Sequence, residues 1–249
     1  MKRDPLIRTE RTVYGRKAGG KSQFVVIAPH AGGDDLRTGR LARHLAKLLD
    51  GAIVLNKKFY KHTNHKAALK PHFIEDFNEL SWNKQRGEWR WFNRKLAMKI
   101  FYDDIAGYCD AIIAGLNRQP VCIYIHGLKT VELGIDIGMG LKSKNGKNRF
   151  VGSSGHGAVT GVPTIQIGQL KKMKQLLQEP IKKDYNLDIG VGNIYSAWDK
   201  RCGIQFHKCC GRNDYAIQLE IQHRLKETEE NIAKLALLLA ETFKLIFIN

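Results

Sequence analysis

A chain of 249 residues, 43% hydrophobic and 26% charged, carries enough apolar mass for a sizeable core and fits one large α/β unit. No apolar run reaches the roughly 20 residues of a membrane helix, and the opening MKRDPLIRTERTVYGRK has no apolar h-region, so neither a membrane span nor a secretory signal is expected and the cytoplasm is the expected location. Its 41 Lys and Arg outnumber its 24 Asp and Glu, and a formal net charge of +17 predicts attraction for anions.

Residues 1–21 are polar and basic and read as an irregular N-terminal arm. QFVVIAPH (23–30) is a short apolar, β-branched run closed by Pro29 and followed by Gly-Gly, the pattern of a buried strand entering a loop. LRTGRLARHLAKLLD (36–50) places Leu41, Leu45, Leu48 and Leu49 on one helical face, with Gly51 as C-cap and AIVLN (52–56) as a second strand. This strand–loop–helix–strand order predicts an α/β sheet. Residues 57–72, with His62, His65 and His72, read as a long loop, and FIEDFN (73–78) as a short strand. From Asn83 to Leu116 the spacing of Trp89, Phe92, Leu96 and Ile100 predicts a helix. VCIYIHG (121–127) is a buried strand, and VELGIDIG (131–138) is the next. GLKSKNGKNRFVGSSGHG (140–157) has the composition of a mobile loop, 165–178 reads as a helix, and 187–215 gives no decisive pattern. YAIQLEI (215–221) alternates as a strand does, and HRLKETEENIAKLALLLAETFKLI (223–246) is a long amphipathic final helix. The whole chain, 1–249, is expected to form a single domain.

The five cysteines, Cys109, Cys122, Cys202, Cys209 and Cys210, are odd in number in a large chain, which argues against a disulfide framework. The cluster Cys202…His207-x-Cys209-Cys210 has zinc-knuckle residue types but no second Cys-x-x-Cys pair, and reduced, partly buried thiols are the plainer reading.

Two predicted strands end in histidine, His30 in VVIAPHAGG and His126 in CIYIHG, each followed by small residues that leave the ring accessible. Ligands bind outside the carboxyl ends of strands in open α/β sheets. Asp34 and Asp35 follow His30 closely, and two histidines plus a carboxylate is the usual protein ligand set of a catalytic zinc. A lone strand-end histidine is ordinarily a hydrogen-bonded structural residue; two of them near a carboxylate make a metal site an equal reading. Glu220 sits in an alternating apolar strand, where Leu219 and Ile221 point to the other face. It is either a solvent-facing strand residue or a carboxylate held as general base.

APHAGGDD, YIHG, VELGIDIGMG and AIQLEIQHRLK, in that order over residues 24–226, resemble the N-formylglutamate amidohydrolase family, and are also similar to phage-type poly-γ-glutamate hydrolases; both belong to the zinc carboxypeptidase-like hydrolases. The resemblance implies a three-layer α/β/α sandwich around a mixed, mostly parallel sheet, phosphorylase/hydrolase-like, and one Zn2+ per chain. His30 and His126 match the ligand histidines, and Asp35 stands five residues after the first, where the family has Glu; Asp34 is the alternative. Glu220 matches the general base. EDFNEL (75–80) resembles a D-x-N-R segment and gives Asp76 and Asn78 as substrate-binding residues, with Glu79 where the family places Arg. Arg37 and Arg40, near the first ligand, are candidate substrate-binding or oxyanion cations that also fit a solvated helix face. The implied activity is zinc-dependent hydrolysis of an amide in an N-acyl amino acid or a γ-glutamyl-type peptide, and the expected partner is an anionic small molecule or peptide.

Two other readings stand beside this one. Lys142 to Arg149 and the run Trp89-Arg90-Trp91-Phe92 suit a nucleic-acid surface, although the basic residues are scattered rather than striped and the aromatics fall at helical spacing. The departures at residues 35 and 79 also fit a family member that has lost catalysis.

Overall fold

Two short strands, β1 (Glu10–Arg11) and β2 (Gly15–Ala18), occupy the segment expected to be an irregular arm. The reason is remote in sequence. Tyr14 is fully buried, packs edge-on against Phe101 and donates its hydroxyl to Asp104 at 2.6 Å, while Lys17 reaches the same carboxylate at 2.8 Å. The computed structural model describes residues 7–32, 35–60, 73–85, 88–92, 96–129, 132–144, 147–150, 164–195, 197, 202–208 and 212–248, with the backbone alone for 81–85, 88–92, 141–144 and 147–150.

The other elements in chain order are β3 (Phe24–Ala28), α1 (Thr38–Leu49), β4 (Ala52–Asn56), β5 (Ser81–Gln85), β6 (Glu88–Phe92), α2 (Leu96–Leu116), β7 (Val121–Leu128) and β8 (Leu133–Gly138). They continue with β9 (Leu141–Lys144), β10 (Lys147–Phe150), α3 (Ile167–Tyr185), β11 (Asp188–Val191), β12 (Tyr215–Gln222) and α4 (Glu229–Phe247). Two 3-10 turns, Gly203–Lys208 and His223–Lys226, flank β12.

Eight strands form one sheet in the order β1-β2-β4-β3-β7-β12-β8-β11. Its centre, β4-β3-β7-β12, is parallel throughout, and β8 runs antiparallel to β12. The central strands are buried on both faces, as parallel strands covered by helices must be. Alternation along β3 sorts the core. Phe24, Val26 and Ala28 pack with Leu41, Leu45 and Leu49 of α1, Met173 and Leu177 of α3, and Leu235 and Leu239 of α4. Val25 and Ile27 pack with Phe101, Tyr102 and Ile105 of α2 on the opposite face. This is a three-layer α/β/α arrangement, with about 1.5–3 kcal/mol of stabilisation for each large aliphatic side chain buried. Among the described residues no helix is long and apolar enough to cross a membrane.

Three local expectations are corrected. In place of a helix from Asn83, β5 and β6 form an antiparallel hairpin, with Lys84 opposite Trp89, and α2 is described from Leu96 onward. EWRWF alternates with a period of two, and that alternation, rather than the 89/92/96 spacing, describes the backbone. FIEDFN is no strand: it makes a single bridge, Tyr60 to Ile74, then turns at Phe77 and Asn78. Part of the expected mobile loop is the hairpin β9–β10, with Lys144 opposite Lys147; residues 151–157 lie outside the described residues. The remaining helix expected at 165–178 runs longer, to Tyr185, through Pro180.

Candidate active site

The parallel strands β3, β7 and β12 deliver the chemistry. β3 ends at Ala28, and Pro29-His30 turns off its carboxyl end. Asn56, fully buried at the end of β4, holds that turn by donating to the Pro29 carbonyl at 2.7 Å. His126 lies within β7, directly opposite Glu220 of β12 in parallel register. Asp35 returns from the β3–α1 loop to meet both histidines. Gly127 admits it: a Cβ on Gly127 would stand 3.1 Å from the Asp35 Cβ.

His30 Nδ1 lies 3.0 Å and His126 Nδ1 3.4 Å from the same oxygen, Asp35 Oδ2. One donor atom from each of the three residues falls within 4.8 Å of the others. His30 Nε2 is 2.8 Å from Asp76 Oδ1, so a second carboxylate fixes this ring from behind, the arrangement commonly found on metal-ligating imidazoles. His126 is 2% exposed, and its Nε2 is buried without a hydrogen-bond partner among the described residues. Two imidazole nitrogens and a carboxylate oxygen facing one point, with the rings locked by burial, fit a borderline-soft divalent cation such as Zn2+.

Without an ion, the carboxylates act on the two rings directly, and a cation would have to displace the proton that His30 holds. Burial opposes charge on His30, but its hydrogen bonds to Asp35 and Asp76 outweigh it and raise its pKa to about 10. Burial alone would raise the Asp35 pKa; the bonds to His126 and His30 instead hold it well below the usual carboxylate range. His126 is pushed down by burial.

A pocket of about 250 Å³ opens over these groups and is lined also by Asp76, Asn78, Glu79, Gln218 and Glu220. His30, Asp35, Asp76, Asn78, His126 and Glu220, all anticipated from sequence, are thus brought together. Arg37 is not: its side chain donates to the Lys226 carbonyl at 3.0 Å, and it is absent from the lining. Its backbone is left-handed at the start of α1, so it ties the Asp35 loop to the turn after β12. Arg40 pairs with Glu229 on the surface. Asp34, His62, His65 and His72 lie outside the described residues, as do the side chains of Lys142–Arg149 and of residues 89–92.

Sequence reasoning passed over several residues that build the site. Gln218, two positions before Glu220 and on the same face, donates to Glu220 Oε1 at 2.8 Å and orients the carboxylate. Cys202 also lines the pocket. Asp136, opposite Glu220 in antiparallel register and fully buried, accepts from the backbone N–H groups of Asn193, Ile194 and Tyr195 at 3.1, 2.7 and 2.9 Å. Tyr195 lines the pocket, so Asp136 fixes one wall. An acid inside the apolar run GIDIG was the available signal. Asp136→Ala leaves three N–H groups without this acceptor and is expected to cost on the order of 3 kcal/mol in urea unfolding.

Lys226 is 1% exposed and donates to the Ile221 carbonyl at 2.8 Å. Burial disfavours its ammonium and the Asp35 and Glu220 carboxylates only partly restore it, so its pKa falls from 10.5 to about 8. Between those two values the unfolded chain keeps a proton that the folded chain has lost, so this residue makes stability rise with pH across the window. His30, raised in the metal-free protein, acts in the opposite direction. The difference between wild type and Lys226→Met therefore isolates the lysine. With chelator present, the stability gap in urea unfolding is expected to move in favour of the wild type by on the order of 3 kcal/mol as pH climbs through that window.

No protein-family model matches the sequence, and no curated protein matches it. Among solved structures, the chain is similar to a gene product of Agrobacterium tumefaciens, with a TM-score of 0.52 and 14% identity over 91% of this chain and 90% of that one. This likeness shows a shared α/β fold. Looser similarities include a bacteriophage poly-γ-glutamate hydrolase (TM-score 0.46, 12% identity, 92% of this chain and 85% of that one). A succinylglutamate desuccinylase from Vibrio cholerae is similar at a TM-score of 0.44 and 14% identity, over 98% of this chain and 67% of that one.

Proposed function

We propose that the chain is a zinc-dependent amidohydrolase that cleaves the amide bond of an N-acyl amino acid or a γ-glutamyl-type peptide. The observation that carries this reading is the convergence of His30, Asp35 and His126 donor atoms within 4.8 Å at the floor of a pocket that Glu220 also lines. His30, Asp35 and His126 would hold the ion, and Asp76 would orient His30 from outside. When bound, the ion supplies Lewis-acid polarisation of the amide carbonyl and lowers the pKa of water.

The chain's own groups account for the proton movements. The Glu220 carboxylate, steadied by Gln218, accepts a proton from the attacking water and returns it to the leaving nitrogen, so that an amine departs rather than an unstable amide anion. The His30 and His126 rings and the Glu220 carboxylate are buried, which strengthens the electrostatic interactions among them. Asn78 offers its amide toward Gln218 at 3.5 Å and lines the same space, in keeping with a substrate-side role.

The net charge of +17 favours the approach of an anionic substrate, whereas the described lining carries the carboxylates Asp35, Asp76, Glu79 and Glu220 and no lysine or arginine. The test therefore uses a panel of both anionic and neutral amides: N-acyl glutamates, N-acyl amino acid amides and γ-glutamyl dipeptides. Protein purified without chelator is assayed for bound zinc and for amine release. One zinc bound by the His30 cluster and release that stops with chelator and returns with zinc are the expected results. Protein that holds no metal at this cluster, or zinc-loaded protein that cleaves no member of the panel, would sink the proposal.

A further inference from the structure

The α2-facing row of β7 reads Cys122, Tyr124, His126, and only the last belongs to the pocket. At the other end of the row, about 13 Å away along the strand, is a second cluster of donors. Cys122 Sγ lies 3.4 Å from Cys109 Sγ of α2. His207, from the 3-10 turn Gly203–Lys208, joins them, and the donor atoms of all three residues lie within 4.8 Å of one another. All three are fully buried.

The imidazole is held as ligating imidazoles are held. His207 Nδ1 is 2.9 Å from Asp214 Oδ2, and Asp214 is in turn fixed by Arg212 Nε at 2.7 Å. The Tyr124 hydroxyl lies 2.9 Å from His207 Nε2. Two thiols, an imidazole and a carboxylate behind the imidazole, supported by a guanidinium, are the groups from which the inner and outer parts of a metal site are built.

We propose that Cys109, Cys122 and His207 form a second, structural metal site for a thiophilic ion of the Zn2+ class, with the Tyr124 hydroxyl as the available fourth donor. Thiolate and imidazole donors select such ions over Mg2+ or Ca2+. Loading releases the two thiol protons to solvent and involves no change of oxidation state. None of the three residues lines the active-site pocket and all three are fully buried, so an ion held there has a structural rather than a catalytic role. The ion would join α2, β7 and the Gly203–Lys208 turn. That turn also supports the pocket wall: Gly203 N donates to Asn78 Oδ1 at 3.2 Å, and Gln205 donates to the Ala197 carbonyl at 2.8 Å. The site therefore clips the active-site wall to the core.

Cobalt substitution of the full chain tests this independently of the catalytic proposal. The His30, Asp35 and His126 cluster offers only nitrogen and oxygen, so a thiolate-to-cobalt charge-transfer band reports a sulfur site alone. The band is expected in wild type and in His30→Ala/His126→Ala. It is also expected in Cys202→Ala and in Cys209→Ala/Cys210→Ala, and is expected to vanish in Cys109→Ala/Cys122→Ala. Asp214→Asn is expected to weaken cobalt binding at this site by about 10–100-fold. Should the double cysteine variant fail to fold, X-ray absorption of the cobalt-loaded His30→Ala/His126→Ala protein replaces it, with two sulfur neighbours per ion expected. Absence of the band, its loss in Cys202→Ala or in Cys209→Ala/Cys210→Ala, its survival in the double variant, a cobalt shell without sulfur, or a Cys109–Cys122 disulfide in the protein as isolated would each overturn the assignment.

Discussion

Glu220→Gln is expected to lower the turnover of a cleaved amide by about 10²–10⁴-fold while leaving bound zinc at the wild-type level. Glutamine keeps the shape of the side chain and retains an oxygen for the Gln218 donor, so the pocket stays intact. What it lacks is a site that can take up a proton and give it back. Glu220 is also outside the group of converging donors, so metal content should not follow activity. The measurement is kcat alongside metal stoichiometry. Full turnover in the variant would reduce Glu220 to a residue of the sheet, and loss of zinc together with turnover would make it a ligand. Glu220→Asp adds a second reading: the carboxylate remains but is withdrawn by one methylene, and an intermediate rate is expected.

Removal of a ligand is the other large effect. His126→Ala is expected to lose the ion at this site and, with it, amide cleavage. The loss of affinity should exceed that in Asp76→Asn, where only the partner behind His30 is altered and about 10–100-fold weaker binding is expected. Metal titration followed by equilibrium dialysis gives both numbers. The order of the two variants is the informative result. Asp76 lines the pocket as well as touching His30, and an Asp76→Asn protein that binds zinc normally but has a raised KM would assign Asp76 to substrate rather than to the metal.

Three parts of the site were legible from their own neighbours because they sit on strands or directly after them, whereas Asp35, Asp76 and Asn78 were legible only through resemblance. His30 and His126 close apolar runs, and Glu220 interrupts a period-two pattern, so each was marked by its immediate neighbours. Asp35 was legible by its spacing from His30 through resemblance, and the structure places it between the two rings. What escaped depended on contacts between remote segments. Arg37 is close to His30 in sequence, yet its left-handed backbone turns its side chain to the Lys226 carbonyl. Gln218 has no meaning until Glu220 is given a task. The strand character of β2 rests on the burial of Tyr14 against α2, which a window along residues 1–21 does not contain. His207 was weighed with Cys202, Cys209 and Cys210, its neighbours in sequence; the structure sets it with Cys109 and Cys122. The aromatic run at 89–92 satisfies two periods at once, and the backbone follows the strand period.

The pairing of β7 with β12 has a consequence for which changes of length the site can absorb. Glu220 stands opposite His126 because two strands share a register fixed by backbone hydrogen bonds, not because of anything in the segment that joins them. Loop-closure cost grows only slowly with length, so the loops between the elements of that segment can lengthen or shorten while the carboxylate and the imidazole keep their separation. The spacing of the two groups is thereby decoupled from the length of the loops between them.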